Sequence, residues 1–163
     1  MRSKRVVLLS HCSLNQNAVI LGWERARGPY NFVSILIEEG IGILQLPCPE
    51  TLALGLKRPP MGYDDYDTPE HRALCEDILS GTIAMVKAHH EVGDKILGVI
   101  GIHESPNCSI TEKRGIFMEV LFKRLSEEGF DLDYLEVPTD YNNDDETSQV
   151  DFHEKLKSFL GES

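Results

Sequence analysis

The sequence predicts an α/β fold with three layers, built on a mostly parallel sheet of about four or five strands. Short apolar runs without alternation recur along the chain, as expected of strands buried on both faces. Between them lie segments of ten or more residues with apolar positions at helical spacing. Strands alternating with helices of that length are joined by crossovers, which set successive strands parallel.

The first run is Arg5 to Ser10 (RVVLLS). The polar stretch His11 to Asn17 follows as a loop. Beyond Gly28-Pro29, Tyr30 to Glu39 spaces Phe32, Ile35 and Leu36 as a crossover helix that stops at Gly40. Ile41 to Leu46 (IGILQL) is the second strand, ended by Pro47-Cys48-Pro49. The two prolines remove backbone donors, hold Cys48 extended and continue neither helix nor ladder. Leu54 to Asp67 is rich in Gly, Pro and acidic residues and reads as irregular. Thr68-Pro69-Glu70 then gives an N-cap with proline at the first helical position, opening a helix to about His90.

Lys95 to Ile102 (KILGVIGI) is the third strand, where Gly98 and Gly101 would admit another backbone or a ligand at close range. Arg114 to Glu128 is a helix with Ile116, Phe117, Val120, Leu121 and Leu125 on one stripe and Gly129 as its stop. Leu132 to Val137 forms a fourth strand and Val150 to Leu160 a terminal helix. This order is Rossmann-like or flavodoxin-like, and 163 residues fit one α/β domain, 1–163. In such sheets the ligand crevice lies outside the carboxyl ends of the strands.

The formal charge of −11 argues against nucleic acid as a partner, because phosphate binding needs clustered Lys and Arg, and Arg2, Lys4 and Arg5 are too few. The charged start runs into only a short apolar stretch before His11, unlike a secretory leader. No apolar run approaches the roughly 18 residues of a membrane span. A cytoplasmic protein without membrane attachment is therefore expected. Four cysteines at wide spacing are too few for a secreted disulfide scaffold, so reduced thiols are available. The acidic run Asp140, Asp144, Asp145 and Glu146 lacks calcium-loop spacing and reads as a solvated patch.

Three of those cysteines, Cys12, Cys48 and Cys108, each follow a predicted strand within six residues. Cys48 lies 36 residues beyond Cys12 and Cys108 a further 60, about one or two βα units each, which fits one thiol per strand end. Parallel neighbouring strands would bring all three to one sheet edge, where converging thiols suggest a metal or a cluster. Free cysteines are also among the most buried residue types, so packing alone is the competing explanation. The loops around Cys48 and Cys108 favour ligation, being polar and fixed by proline. Cys75 sits within the predicted second helix and reads as a core or surface thiol.

Three motifs then resemble the thiouracil desulfidase family of iron-sulfur enzymes. They are Leu9-Ser10-His11-Cys12, then Cys48-Pro49-Glu50 with Gly55-Leu56-Lys57-Arg58-Pro59-Pro60, and Ser105-Pro106-Asn107-Cys108. Their order and spacing cover roughly Val6 to Phe130. The resemblance implies a [4Fe-4S] cluster on Cys12, Cys48 and Cys108 with its fourth iron open, and removal of sulfur as sulfide from a thiocarbonyl such as a thiolated nucleobase. It also implies that Glu50 acts as general base and Ser105 as proton relay. The structural alternatives are a Glu50 that bonds a loop amide and a Ser105 that starts a turn. The chain departs from the family pattern after Cys12, where it reads Ser13-Leu14-Asn15, and after Cys108, where Ser109 replaces glycine. It therefore reads as a divergent branch.

His11 and His103 flank the expected site and could contact substrate or ligate metal. Asn15 could hydrogen-bond a nucleobase edge, and Arg58 could meet an anionic group or pair with Asp64 or Asp65. Two other readings stay open at this point. One is a non-catalytic protein holding zinc on the same thiols, with a histidine as fourth ligand. The other is an enzyme with Cys12 or Cys108 as nucleophile, which requires a lowered thiol pKa. Either a monomer or a homodimer is compatible with the sequence.

Overall fold

Residues Val6 to Leu9 are all buried, so they lie in mid-sheet with side chains packed on both faces. The structure, a computed structural model, describes residues 1–161. The strands are β1 (Arg5–Leu9), β2 (Gly42–Gln45), β3 (Lys95–Ile102) and β4 (Tyr134–Val137), paired in parallel in the order β2-β1-β3-β4. The predicted α/β class is thus observed, with a four-stranded sheet. From β1 the chain passes to β2 on one side, while β3 lies on the other. The topological switch point, where ligand crevices form, is therefore between β1 and β3.

Helices cover both faces. In chain order they are α1 (His11–Leu14), α2 (Val33–Glu38), α3 (Pro49–Leu54), α4 (Tyr63–Tyr66), α5 (Pro69–Glu91), α6 (Ile116–Glu127) and α7 (Val150–Phe159). Phe32, Leu36, Phe152 and Leu156, from α2 and α7 and the residue before α2, join Val7, Leu9 and Ile100 in one apolar cluster. Cys75, Leu79 and Ile83 of α5 and Phe117 and Leu121 of α6 join Leu8 and Val99 in the other. Adjacent strand residues thus serve opposite layers, as the two-residue side-chain period requires.

Three short helices depart from the sequence reading. His11–Leu14 and Tyr63–Tyr66 are single turns of four residues, too short to show a period. Pro49 was expected to forbid a helix, yet it opens α3. Proline at the first helical position lacks only an N–H that would have no partner there. The expectation for Cys48 itself holds, since its backbone is extended. The glycines of β3 admit backbone rather than a ligand. A Cβ on Gly98 would stand 2.3 Å from the Asp133 carbonyl oxygen, and one on Gly101 would stand 2.4 Å from that of Cys108.

Candidate functional site

Each of the three cysteines reaches the switch-point end of the sheet by a different local device. Cys12 sits on α1, directly after β1. Cys48 is the N-cap of α3, and its Sγ accepts the Thr51 N–H at 3.4 Å. Cys108 lies on a loop folded back onto β3, because Ile102 N–H donates to the Cys108 carbonyl at 2.9 Å. Gly101 allows that close return. All three cysteines are free, and all three line one cavity of about 450 Å³. Cys75 is fully buried in α5 and takes no part in it.

The thiols feel one another electrostatically. Burial pushes Cys12 up to about 12, with the charge of Cys48 adding to the effect and Arg25 opposing it. Burial also raises Cys108 well above its ordinary value, with Cys12, Cys48 and Glu50 contributing. A nucleophilic cysteine needs the opposite shift. A set of thiolates in this cavity would need positive charge placed among them, which is what a metal centre supplies. Among the described residues, no group of three His, Cys, Asp or Glu is arranged to hold a metal ion. A single zinc requires all its donors about 2.0–2.3 Å from one point.

Glu50 lines the cavity with both oxygens engaged. Oε1 accepts from Arg58 Nε at 3.1 Å and Oε2 from Asn107 Nδ2 at 2.9 Å, while Asn107 Oδ1 meets His71 Nε2 at 2.7 Å. Arg58 was expected to meet a substrate anion or an aspartate near residue 64. Instead its side chain is 3% exposed and gives its remaining donors to Thr51 Oγ1 and to the Gly55 and Ala18 carbonyls. This guanidinium is a structural strut between α3, the following loop and the turn at Ala18. Arg58→Met removes one partner of a largely buried ion pair. It is expected to lower stability by about 3 kcal/mol, read as a shift in urea midpoint at unchanged slope.

Ser105 Oγ accepts the Cys108 N–H at 3.0 Å and the Asn107 N–H at 3.3 Å, so it does shape the turn, and its own proton remains available to donate. His11 Nδ1 meets the Leu46 carbonyl at 3.1 Å, which binds the ring to β2's exit and leaves Nε2 free. His103 Nδ1 lies 3.4 Å from Glu136 Oε1, a carboxylate 7% exposed that also accepts the Ile110 N–H and the Thr111 hydroxyl. Both histidines line the cavity. Asn15 does not. Its side chain caps the 3-10 turn Gln16–Ala18 by accepting the Asn17 N–H, because the short polar stretch coils instead of opening toward the crevice.

The chain has a relative among known proteins. The chain is 40% identical over 146 residues, covering 87% of its own length and 93% of the relative's, to "Uncharacterized protein MJ0003" of Methanocaldococcus jannaschii. This chain belongs to the MJ0003 family. No protein-family model and no solved structure matches.

In this member of the MJ0003 family, the other cavity wall escaped the sequence reading. It comes from the irregular segment between α1 and α2, where Val19, Ile20, Trp23 and Arg25 face the thiols. Trp23, 60% exposed, is the chain's one tryptophan. A lone tryptophan in a stretch with no period was the available hint. Glu136 and Asn107 were also missed, since each acts only through a residue distant in sequence. Among the described residues no helix is long and apolar enough to cross a membrane.

Proposed function

We propose that this MJ0003-family protein is an iron-sulfur desulfidase that replaces the sulfur of a small thiolated heterocycle with oxygen from water. The observation that carries the reading is the convergence of Cys12, Cys48 and Cys108, from three separate strand ends, on one cavity. The motif resemblance supports it, and the raised thiols of Cys12 and Cys108 speak against a lone cysteine nucleophile. A [4Fe-4S] cluster held by the three thiolates would supply an iron with an open position, able to take the departing sulfur. The net change is hydrolysis: water gives its oxygen to the thiocarbonyl carbon, the carbon–sulfur bond breaks, and sulfide leaves with the water's protons. No electrons are exchanged with an outside partner.

The chain's own groups divide the remaining work. Glu50, held by Arg58 and Asn107, orients the attacking water as an acceptor. His103 is braced through Nδ1 by Glu136, so Nε2 carries the proton from that water toward the leaving sulfur. Ser105 donates a hydrogen bond from its hydroxyl to the oxygen forming at carbon and keeps its proton. One chain supplies all these groups, so a monomer suffices. A reducing cytoplasm is the compartment where free thiols and a cluster persist.

The test is anaerobic reconstitution with iron and sulfide, followed by assay of thiolated pyrimidines for the oxo product and released sulfide. Turnover by wild type and a loss of about 100-fold or more in His103→Gln are expected. A cluster-loaded protein inert toward every thiolated ring, or a chain that takes up no iron, overturns the proposal. Aerobic preparations do not serve, since oxygen strips or oxidises an exposed cluster.

A further inference from the structure

His71, on α5, is 7% exposed and Asn107, on the loop before α6, is fully buried, and neither lines the thiol cavity. An imidazole and an amide cost free energy in an interior unless they are hydrogen-bonded, and here their bonds run in one direction. His71 Nε2 donates to Asn107 Oδ1 at 2.7 Å, and Asn107 Nδ2 donates to Glu50 Oε2 at 2.9 Å. An ionised carboxylate only accepts, so the amide turns its NH2 to Glu50 and its oxygen to His71, whose ring proton then sits on Nε2. Reversing the amide would set its oxygen against the Glu50 carboxylate.

Each link is fixed from outside the cavity. The Asn107 carbonyl accepts the Met118 N–H at 3.0 Å, its N–H donates to Ser105 Oγ at 3.3 Å, and a Cβ on Gly115 would stand 2.4 Å from its carbonyl carbon. The backbone of Asn107 is thus clamped against the start of α6, and only rotation of its side chain is left for His71 to remove. His71 is the third residue of α5. Its N–H donates to the Thr68 cap at 3.1 Å and its ring packs on Tyr66 with centroids 4.8 Å apart. On the far side of Glu50, Arg58 Nε holds Oε1 at 3.1 Å. Resting on the reading of Glu50 as the group that orients the attacking water, we propose that His71 is a positioning residue for that hydrolysis. Acting through the Asn107 amide, it fixes the plane of the Glu50 carboxylate and so the direction from which water is presented to the reacting carbon.

Two substitutions in the full-length, cluster-loaded chain separate this role from packing. His71→Phe keeps a ring against Tyr66 but has no donor, and it should lower kcat about 10–100-fold while KM and iron content stay as in wild type. His71→Gln loses the ring but keeps a donor near the Nε2 position, and it should stay within about threefold of wild type. Packing alone gives the reverse order, so a His71→Phe protein that turns over like wild type overturns the proposal. Adding His71→Phe to Glu50→Gln should cost nothing further, because the two residues act as one unit, and additive losses overturn it as well. Should His71→Phe fail to fold, Asn107→Leu cuts the same chain at its middle, with the same expected loss. Nitrogen-15 NMR of the unloaded chain gives a readout independent of turnover. The His71 proton is expected on Nε2, and the Asn107 NH2 should exchange slowly with water in wild type and faster in His71→Phe. A proton on Nδ1 overturns the proposal even in an active enzyme. An Nε2 proton and a slow amide in a chain without turnover uphold the directed chain of bonds and count against the desulfidase reading instead.

Discussion

Cys12→Ala, Cys48→Ala and Cys108→Ala are each expected to abolish stable cluster binding, whereas Cys75→Ala should retain it. Anaerobically reconstituted wild type and Cys75→Ala should carry about four irons and four acid-labile sulfides per chain, with the broad visible absorption of such a cluster. The asymmetry follows from position. The first three thiols share one cavity, while Cys75 is fully buried in the α5 layer. Losing the Cys75 sulfur should cost only about 1 kcal/mol of packing. Iron retained in any of the first three variants would sink the three-thiol site. Loss of activity in one alone, with iron bound in all, would instead point to a single nucleophile, despite the raised thiols of Cys12 and Cys108.

The second large effect is expected at Gly101→Ala. The added Cβ would stand 2.4 Å from the Cys108 carbonyl oxygen and 2.8 Å from Ile110 Cδ1. Neither the strand nor the loop folded onto it can yield without breaking the Ile102–Cys108 hydrogen bond. Overpacking of this kind costs about 3 kcal/mol, or about 6–12 °C in melting temperature for a chain of this size. Iron uptake should fall with it, since the displaced carbonyl belongs to Cys108, one of the three proposed ligands. Gly81→Ala is the control. It lies within α5 with nothing within 4 Å of the new Cβ, and it should raise stability by about 0.5–1 kcal/mol. Thermal melts of the two variants should therefore move in opposite directions.

The sheet was legible because its strands are buried on both faces, so RVVLL and KILGVIGI stand out as unbroken apolar runs. The long helices were legible from period and capping: α5 opens at Pro69 behind the Thr68 cap, as expected, and Thr68 Oγ1 accepts the His71 N–H. What failed was short. A four-residue turn such as α1 has no period to detect, and Pro49 obeys two rules that point opposite ways, ending a strand and opening a helix. The cysteines were legible because parallel topology turns sequence spacing into convergence. Arg25 and Glu136 were not, because nothing local distinguishes a charged residue held by three distant carbonyls, or by a distant imidazole, from a solvated one. Arg58 misled for the same reason, as its partners lie from three to 40 residues away.

The dispersal of the three thiols over β1, β2 and β3 also orders events in time. A chain emerging from the ribosome presents Cys12 and Cys48 early, but the sheet's third strand and Cys108 arrive only after the whole of α5 has been made. No chain that stops short of Cys108 can close the site, so on the proposed reading metal loading would follow synthesis of β3 and the loop after it. Once loaded, any group bound across all three strand ends resists their separation, because it binds the finished fold and not the open chain. The centre would thus act as a latch, closing last and making the unloaded protein the form most open to unfolding and proteolysis.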